Sequence, residues 1–149
     1  SMRSAEKLRN QKGCAQTLTV FIQTNRFKEK RYGNAKSIIF DVATNDSIEI
    51  VKNTIENLKK IYRPNYKYKK AGVVLGGIIS EEKIQMNLFD KTNRIKRKKL
   101  MKAIDKINYL NGKETIKIGA QENKKYKDER QQRLSPAYTT KWKELLKVK

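Results

Sequence analysis

The stretch TLTVFIQ, residues 17–23, decides the fold because its side chains alternate between two kinds. Leu18, Val20 and Ile22 share one side of a predicted strand, and the intervening Thr, Phe and Gln side chains share the other. A strand with a single apolar side is half-buried, so other elements must cover that side while the opposite side stays open. The sequence therefore predicts an α+β fold, an antiparallel sheet with helices packed on one face.

A helix and a second strand flank this stretch. Residues 4–12 are predicted to form a short helix that ends at Gly13, a residue suited to a helix C-cap. Residues 24–34 form a long basic loop. Residues 36–42 form the second strand, because apolar side chains recur there at every second position.

A longer helix and a third strand complete the first unit. Asp46 and Glu49 have capping-box spacing at the start of this helix, and Pro64 stops it. Residues 68–79 form the third strand, whose glycines predict a bend or a close backbone contact. The apolar face of the helix is predicted to consist of Ile48, Val51, Ile55, Leu58 and Tyr62.

The composition favours a polyanionic partner. The 149 residues include 36 Lys and Arg against 15 Asp and Glu, a net charge of +21. Residues 1–80 carry 16 basic and 6 acidic side chains (+10), and residues 81–149 carry 20 and 9 (+11), so the excess is not confined to a tail. Nucleic acid is the expected partner, with an anionic membrane surface as the weaker alternative. No stretch has transmembrane length, and the single Cys14 suits a reducing cytoplasm.

A linker over residues 81–92 carries an apolar motif in a polar setting, QMNLF at residues 85–89. Exposing Met, Leu and Phe to water is unfavourable, so a linker has no reason of its own to carry them. The pattern is that of bacterial sliding-clamp ligands, in which the Gln amide bonds to clamp backbone and the Leu-Phe pair fills an apolar pocket. The alternative is an ordinary linker whose Leu and Phe pack back onto their own domain. The predicted clamp-binding residues are Gln85, Met86, Leu88 and Phe89.

A second unit follows the linker. Thr92 is predicted to cap a helix that runs to about Leu110, and residues 115–120 are predicted to form a short strand. Residues 121–135 are strongly polar and predicted to be irregular. The apolar stripe of the helix is predicted to consist of Leu100, Met101, Ile104 and Ile107.

Five short blocks surround the motif: EKLR at residues 6–9, TNRF at 24–27, IYRP at 61–64, YKKAGV at 68–73 and SPAYTTKW at 135–142. Together, and in this order, they resemble the C-terminal part of the UmuC family of Y-family translesion DNA polymerases over nearly the whole chain. By this resemblance, residues 1–80 are the DNA-binding little-finger domain, residues 81–92 are the clamp-binding linker, and residues 93–149 are the family's C-terminal extension.

The resemblance implies a non-catalytic part of an error-prone polymerase that acts in DNA repair and SOS mutagenesis. The little finger lies along template-primer DNA, the linker binds the sliding clamp, and the extension is a candidate site for the UmuD′ subunit that the family recruits. The domains whose carboxylates bind Mg²⁺ are not among these residues, so no cofactor is expected in this chain. A cytoplasmic protein without a membrane partner is expected.

Two basic segments are predicted to flank the open face of the sheet, where it meets DNA. One is the loop after the first strand, and the other leads into the third strand. Phosphate contacts need only cations and backbone N–H groups, so no base code is expected. The alternative is a generic solvated basic surface. The predicted DNA-binding residues are Arg26, Lys28, Lys30, Arg31, Lys67, Lys69 and Lys70.

No active site is predicted in this chain. It has no His, which removes the commonest general base and metal ligand, and it has no Gly-rich phosphate loop and no Cys cluster. The alternative function, from another class, is a small basic RNA-binding α+β protein of ribosomal type. The motif at residues 85–89 separates the two functions, because a ribosomal protein has no use for a clamp ligand.

The start of the chain predicts an unusual sheet. The little finger of the family begins with a strand before its first helix, and here the chain begins inside that helix. In a βαββαβ sheet this strand would lie in the interior, so its loss would leave unpaired backbone groups on its neighbours. We expect residues 115–120, from the same chain or from a second copy, to fill the gap.

Overall fold

The computed structural model describes residues 1–27, 30–90, 92–112 and 114–120. The helices are α1 (Met2–Asn10), α2 (Ser47–Ile61) and α3 (Arg94–Asn111), and the strands are β1 (Gly13–Thr24), β2 (Gly33–Thr44) and β3 (Tyr68–Ser80). A short 3₁₀ helix, Glu81–Lys83, follows β3 and leads into the linker.

The sheet is antiparallel, with β1 in the middle between β2 and β3. Leu18 of β1 stands opposite Ile38 of β2 and Leu75 of β3, so one apolar row crosses all three strands. The core on this side consists of Ala5, Leu18, Val20, Ile22, Phe40, Ile50 and Ile61. Because α1 and α2 both contribute to it, both helices cover the same face. The predicted α+β fold with helices on one face is confirmed.

The opposite face of the sheet is open. On it, the Thr19 and Ser37 hydroxyls lie 2.8 Å apart in a hydrogen bond between β1 and β2. Phe21 stands in a row between Ala35 and Gly72, and its ring lies over Gly72. A Cβ at Gly72 would come within 2.4 Å of the ring, so the close contact predicted at the β3 glycines is present.

Gly13 has a different role from the predicted one. The helix α1 ends at Asn10, and Lys12 rather than a glycine takes the left-handed conformation after it, with φ of 51°. Gly13 is the first residue of β1, where a Cβ would lie 3.1 Å from Cγ2 of Ile78. The glycine therefore permits close packing against β3.

The buried face of α2 is rotated from the predicted one. Ile50 and Ile61 are buried, whereas Ile55 is partly exposed and Tyr62 lies beyond the helix end. Ile50 and Ile61 are eleven positions apart, about three turns, so they share a face, while Ile55 lies about 140° around the helix from Ile50. The predicted apolar face is therefore right at Val51, which is buried, and at Leu58, which packs against the core, but wrong at Ile55 and Tyr62.

The start and the packing of α3 also differ from prediction. Asn93 rather than Thr92 caps the helix, because the Asn93 side chain accepts a backbone N–H of the first turn. Met101 is buried, but Leu100 and Ile107 stay partly exposed. The predicted stripe is therefore only partly covered by the described residues.

Residues 115–120 do not form the predicted strand. They make turns beside the end of α3, where the Asn108 side chain accepts the Ile116 N–H at 2.7 Å and donates to the Ile116 carbonyl at 3.2 Å. An amide side chain thus satisfies backbone groups that strand pairing would otherwise satisfy. The interior gap is also a wrong expectation, because β1 is paired on both sides by β2 and β3.

Candidate functional site

Cations from separate segments meet at one end of the sheet. Because the strands are antiparallel, β1 ends there and β2 and β3 begin there. Six predicted DNA-binding residues are exposed at this end and are termed the sheet-end cations: Arg26, Lys30, Arg31, Lys67, Lys69 and Lys70. Lys28, the seventh predicted residue, lies outside the described residues. Within the described ranges, none of the six has a carboxylate within ion-pair distance.

The loop that carries three of these cations is fixed at its base. The Thr24 N–H donates to the Tyr32 carbonyl at 2.9 Å, and the Tyr32 N–H donates to the Thr24 hydroxyl at 2.8 Å. The Tyr32 hydroxyl donates to the Ile61 carbonyl at the end of α2, at 2.7 Å. The Arg63 guanidinium lies 4.9 Å from the centroid of the Tyr32 ring, a cation–π contact. The loop is therefore tied to β1 and α2.

Tyrosine rings join this loop to the segment before β3. Tyr32 packs against Tyr66 and Tyr68, with ring centroids 5.0 and 6.2 Å apart. This cluster of tyrosines was not predicted from the sequence. The signal that could have revealed it is the presence of three tyrosines within residues 62–68, directly beside the second basic segment.

A cleft of about 500 Å³ lies between these two segments. Lys30 lines it from the loop after β1, and Lys67 lines it from the segment before β3. Phe27 and Tyr66 also line it, and the Phe27 side chain is 92% exposed. The structure thus brings the two predicted basic segments together around an aromatic cleft.

The predicted clamp motif lies on an exposed turn. The Asp90 N–H donates to the Asn87 carbonyl at 3.1 Å, so Leu88 and Phe89 are the central residues of the turn. Met86, Leu88 and Phe89 are 64%, 100% and 88% exposed, and Gln85 is exposed as well. Among the described residues, none buries Leu88 or Phe89, although Phe89 lines a cleft beside β2.

Ion pairs hold both ends of this linker. Before the motif, the Glu81 carboxylate pairs with Lys98 at 3.0 Å. After it, Arg94 pairs with Asp90 and with Glu49, each at 2.6 Å. The hydrogen bond from Arg94 lowers the pKa of the Asp90 carboxyl below its ordinary value. The motif therefore lies between two residues, Glu81 and Asp90, that are held by ion pairs to α3.

Arg9 connects α1, α3 and the loop before α2. Its guanidinium makes two hydrogen bonds to the Asp105 carboxylate, at 2.6 and 2.7 Å. The same group donates to the Asn45 carbonyl at 2.7 Å and to the Ser47 hydroxyl at 2.8 Å. The Arg9 side chain is only 11% exposed. These bonds fasten α3 to the sheet domain.

A second ion pair places α3 near the start of α2. Nε of Arg97 lies 3.3 Å from Oδ2 of Asp46. The other oxygen of Asp46 accepts the Ile48 N–H, so the predicted cap of α2 is present. The predicted capping box is not complete, because the Asp46 N–H donates to the Thr44 hydroxyl and not to Glu49. Asp46 therefore serves both the helix cap and the α3 contact.

Comparison with known protein families matches residues 1–88 to the impB/mucB/samB family C-terminal domain. The chain belongs to this family. A second match covers residues 98–148 and is to a domain of unknown function, DUF4113. The resemblance to the UmuC family is thereby confirmed, and the RNA-binding alternative is not favoured.

Several impB/mucB/samB relatives align with almost the whole chain. Protein UmuC of Salmonella typhimurium is 36% identical over 150 residues, which cover 99% of this chain and 36% of the relative. Protein ImpB of Salmonella typhimurium and Protein MucB of Escherichia coli are 33% and 35% identical, each covering 96% of this chain and 34% of the relative. The chain thus spans about a third of the length of these relatives.

Among the described residues, no three Cys, Asp or Glu side chains gather where they could hold a metal ion. Cys14 is buried, and burial, with a smaller contribution from Glu81, raises the pKa of its thiol to about 11. No helix in the same residues is long and apolar enough to cross a membrane. Tyr138 and Trp142, four apart near the chain end, lie outside the described residues.

Proposed function

We propose that this chain is the DNA-binding and clamp-binding C-terminal part of a Y-family translesion DNA polymerase of the SOS response. In this proposal residues 1–80 are the little-finger domain, residues 81–92 hold the clamp ligand, and residues 93–149 form an extension available to UmuD′. The chain itself supplies no catalytic residue, and the polymerase acts in the cytoplasm with Mg²⁺ bound by other domains. Membership of the impB/mucB/samB family supports the assignment.

The observation that carries the proposal is the exposure of the clamp motif. An isolated apolar turn costs free energy in water, because Leu88 and Phe89 lose the burial that a core would give them. Ion pairs at Glu81 and Arg94 fix the chain on both sides, so the turn is held outward. An anchored, exposed Leu-Phe pair is suited to fill an apolar pocket on a partner, where two anchor residues dominate the affinity.

DNA binding rests on the sheet-end cations. Phosphate oxygens are bound by cations without regard to base sequence, which suits a polymerase part that must tolerate many templates. The linker follows β3, and β3 ends at the opposite end of the sheet from these cations. The two surfaces share no residue, so DNA and clamp can be bound together. Clamp binding then raises the effective concentration of the DNA-binding surface at the primer end.

Calorimetric titration of the sliding clamp tests this function. We expect Leu88→Ala with Phe89→Ala to lower clamp affinity by about 2–4 kcal/mol, typical of anchor residues. The fold should be retained, since both side chains lie outside the core.

The matched control removes another exposed apolar pair, Tyr109→Ala with Leu110→Ala in the last turn of α3. This variant should bind the clamp as the wild type does. Equal clamp affinity in the wild type and the Leu88/Phe89 variant would overturn the clamp assignment and leave the motif as an ordinary linker.

A further inference from the structure

The clearest exposed aromatic group outside the clamp motif is Phe27. It lies within a loop whose described residues are otherwise polar or basic, and its side chain is 92% exposed. The loop is held at its base by Thr24 and Tyr32, and the Phe27 N–H donates to the Asn25 side chain at 3.2 Å. A ring kept out of its own core in this way has a large apolar surface without a partner in the described structure.

The surroundings of this ring have the chemistry of a nucleotide site. The cleft that it lines has a volume of about 500 Å³, within the range of small-molecule sites, about 300–1,000 Å³. Tyr66 supplies a second aromatic side chain, and Lys30 and Lys67 supply positive charge. None of the described residues that line the cleft is acidic, so a polyanion meets no repulsion from them.

The geometry points to a subsite for an unpaired nucleotide: Phe27 stacks on a base of single-stranded template DNA while Lys30 and Lys67 bind its phosphates. Duplex DNA keeps its bases stacked on one another and offers only phosphates to this end of the sheet. A single strand offers exposed base faces, and stacking on aromatic side chains is tolerant of sequence. The subsite therefore favours the junction between duplex and single-stranded template.

This inference rests on the proposed DNA-binding function and adds a preference within it. A protein partner for Phe27 is the competing occupant. The two lysines on the rim favour the nucleic acid, since an apolar anchor in a protein interface is normally surrounded by residues depleted in lysine.

Fluorescence anisotropy with labelled DNA tests the subsite. Three probes are compared: blunt duplex, the same duplex with a single-stranded template overhang, and the same overhang built from abasic nucleotides. The abasic overhang keeps every phosphate and lacks the bases. We expect Phe27→Leu to weaken binding to the normal overhang by about 5- to 20-fold, in line with base–aromatic stacking, and to leave blunt-duplex binding unchanged.

The affinity of the wild type should fall by a similar factor when the overhang is made abasic. The affinity of Phe27→Leu should fall almost no further on the abasic overhang. Tyr109→Leu, a matched change at an exposed aromatic residue of α3, should behave as the wild type on all three probes. Tyr66→Leu should reproduce the Phe27→Leu effect in part.

Unchanged overhang affinity in Phe27→Leu, with blunt-duplex binding intact, would overturn the subsite and leave the DNA-binding function standing. An equal loss on the normal and abasic overhangs would also overturn it, because stacking on a base would then not be the cause. Failure of the wild type to bind any probe would instead refute the proposed DNA-binding function.

Discussion

Two basic regions of this molecule contain the same types of cation, Arg and Lys, but differ in whether carboxylates pair with them. On the α3 side, arginines and lysines face carboxylates of other segments, in the pairs Arg9–Asp105, Arg94–Glu49, Arg94–Asp90, Arg97–Asp46 and Lys98–Glu81. At the sheet end, no described carboxylate approaches any of the six cations. The arginines and lysines in these five pairs are neutralised within the chain, whereas the six sheet-end cations have no described carboxylate partner.

This difference shows that net charge alone does not locate a nucleic-acid surface. A cation that already has a carboxylate partner must lose that partner before it binds a phosphate, which offsets much of the gain. A solvated cation without such a partner releases counterions from the DNA directly. The pairing pattern therefore supports a structural role for the paired cations of α3 and favours the sheet end as the proposed DNA contact.

The largest expected effect on stability concerns Arg9. Arg9→Met keeps the aliphatic stem but leaves the Asp105 carboxylate, which is only 25% exposed, without its partner. We expect the free energy of unfolding to fall by about 2–4 kcal/mol, since a partly buried carboxylate left alone is costly. Urea denaturation measures this, with Lys7→Met on the exposed side of α1 as the control. Equal stability of the two variants would mean that α3 is not held by this pair.

A smaller effect is expected at Asp90. The pKa of this carboxyl is lowered in the folded protein, so its contribution to the free energy of unfolding is complete above the ordinary pKa of 3.8. This contribution is lost as the pH falls from there through the folded-state pKa. Asp90→Asn should reduce the free energy of unfolding at neutral pH by about 0.2–1 kcal/mol, the range of a single ion pair near the surface. Wild type and variant should converge in strong acid, as measured by urea denaturation across pH. A constant difference at all pH values would contradict the ion-pair explanation.

The smallest effect on stability is expected at the sheet end. Replacing Arg26, Lys30 and Arg31 with Gln removes three exposed charges that have no described acidic partner. The free energy of unfolding should change by less than about 0.5 kcal/mol, the usual range for surface substitutions. A loss as large as that of Arg9→Met would show that these cations stabilise the fold.

The sheet was predictable from the sequence because strand alternation directly records which side is buried. Leu18, Val20 and Ile22 were assigned to the core by that pattern, and all three are buried. The Asp46 cap was also predictable, since a cap depends on residues within one helical turn. The Gln85–Phe89 motif could be found for a similar reason, because an apolar group in a polar linker stands out locally.

The contacts of α3 could not be predicted in the same way. Arg9 and Asp105 are 96 positions apart, and nothing in either local sequence marks the other as its partner. Apolar and polar side chains alternate over residues 115–120 as in a strand, but the Asn108 side chain takes the hydrogen bonds of the Ile116 backbone. The α2 face was misassigned because the sequence offers more apolar positions than one face can bury, and only the packing with the sheet chooses between them.

The salt dependence of DNA binding tests the central claim most directly. Binding to primer-template DNA is measured by anisotropy over a series of salt concentrations for the wild type and for two triple variants. One replaces Arg26, Lys30 and Arg31, which have no described carboxylate partner, with Gln. The other replaces Arg97, Lys98 and Arg3, whose guanidinium lies 3.7 Å from the Glu114 carboxylate, with Gln. Each lost phosphate contact reduces the magnitude of the slope of log K against log salt concentration by about 0.9. The magnitude of this slope should therefore fall by about 2–3 in the first variant and hardly change in the second. Equal losses in the two variants would contradict the account, because DNA binding would then follow total charge and not the unpaired cations of the sheet end.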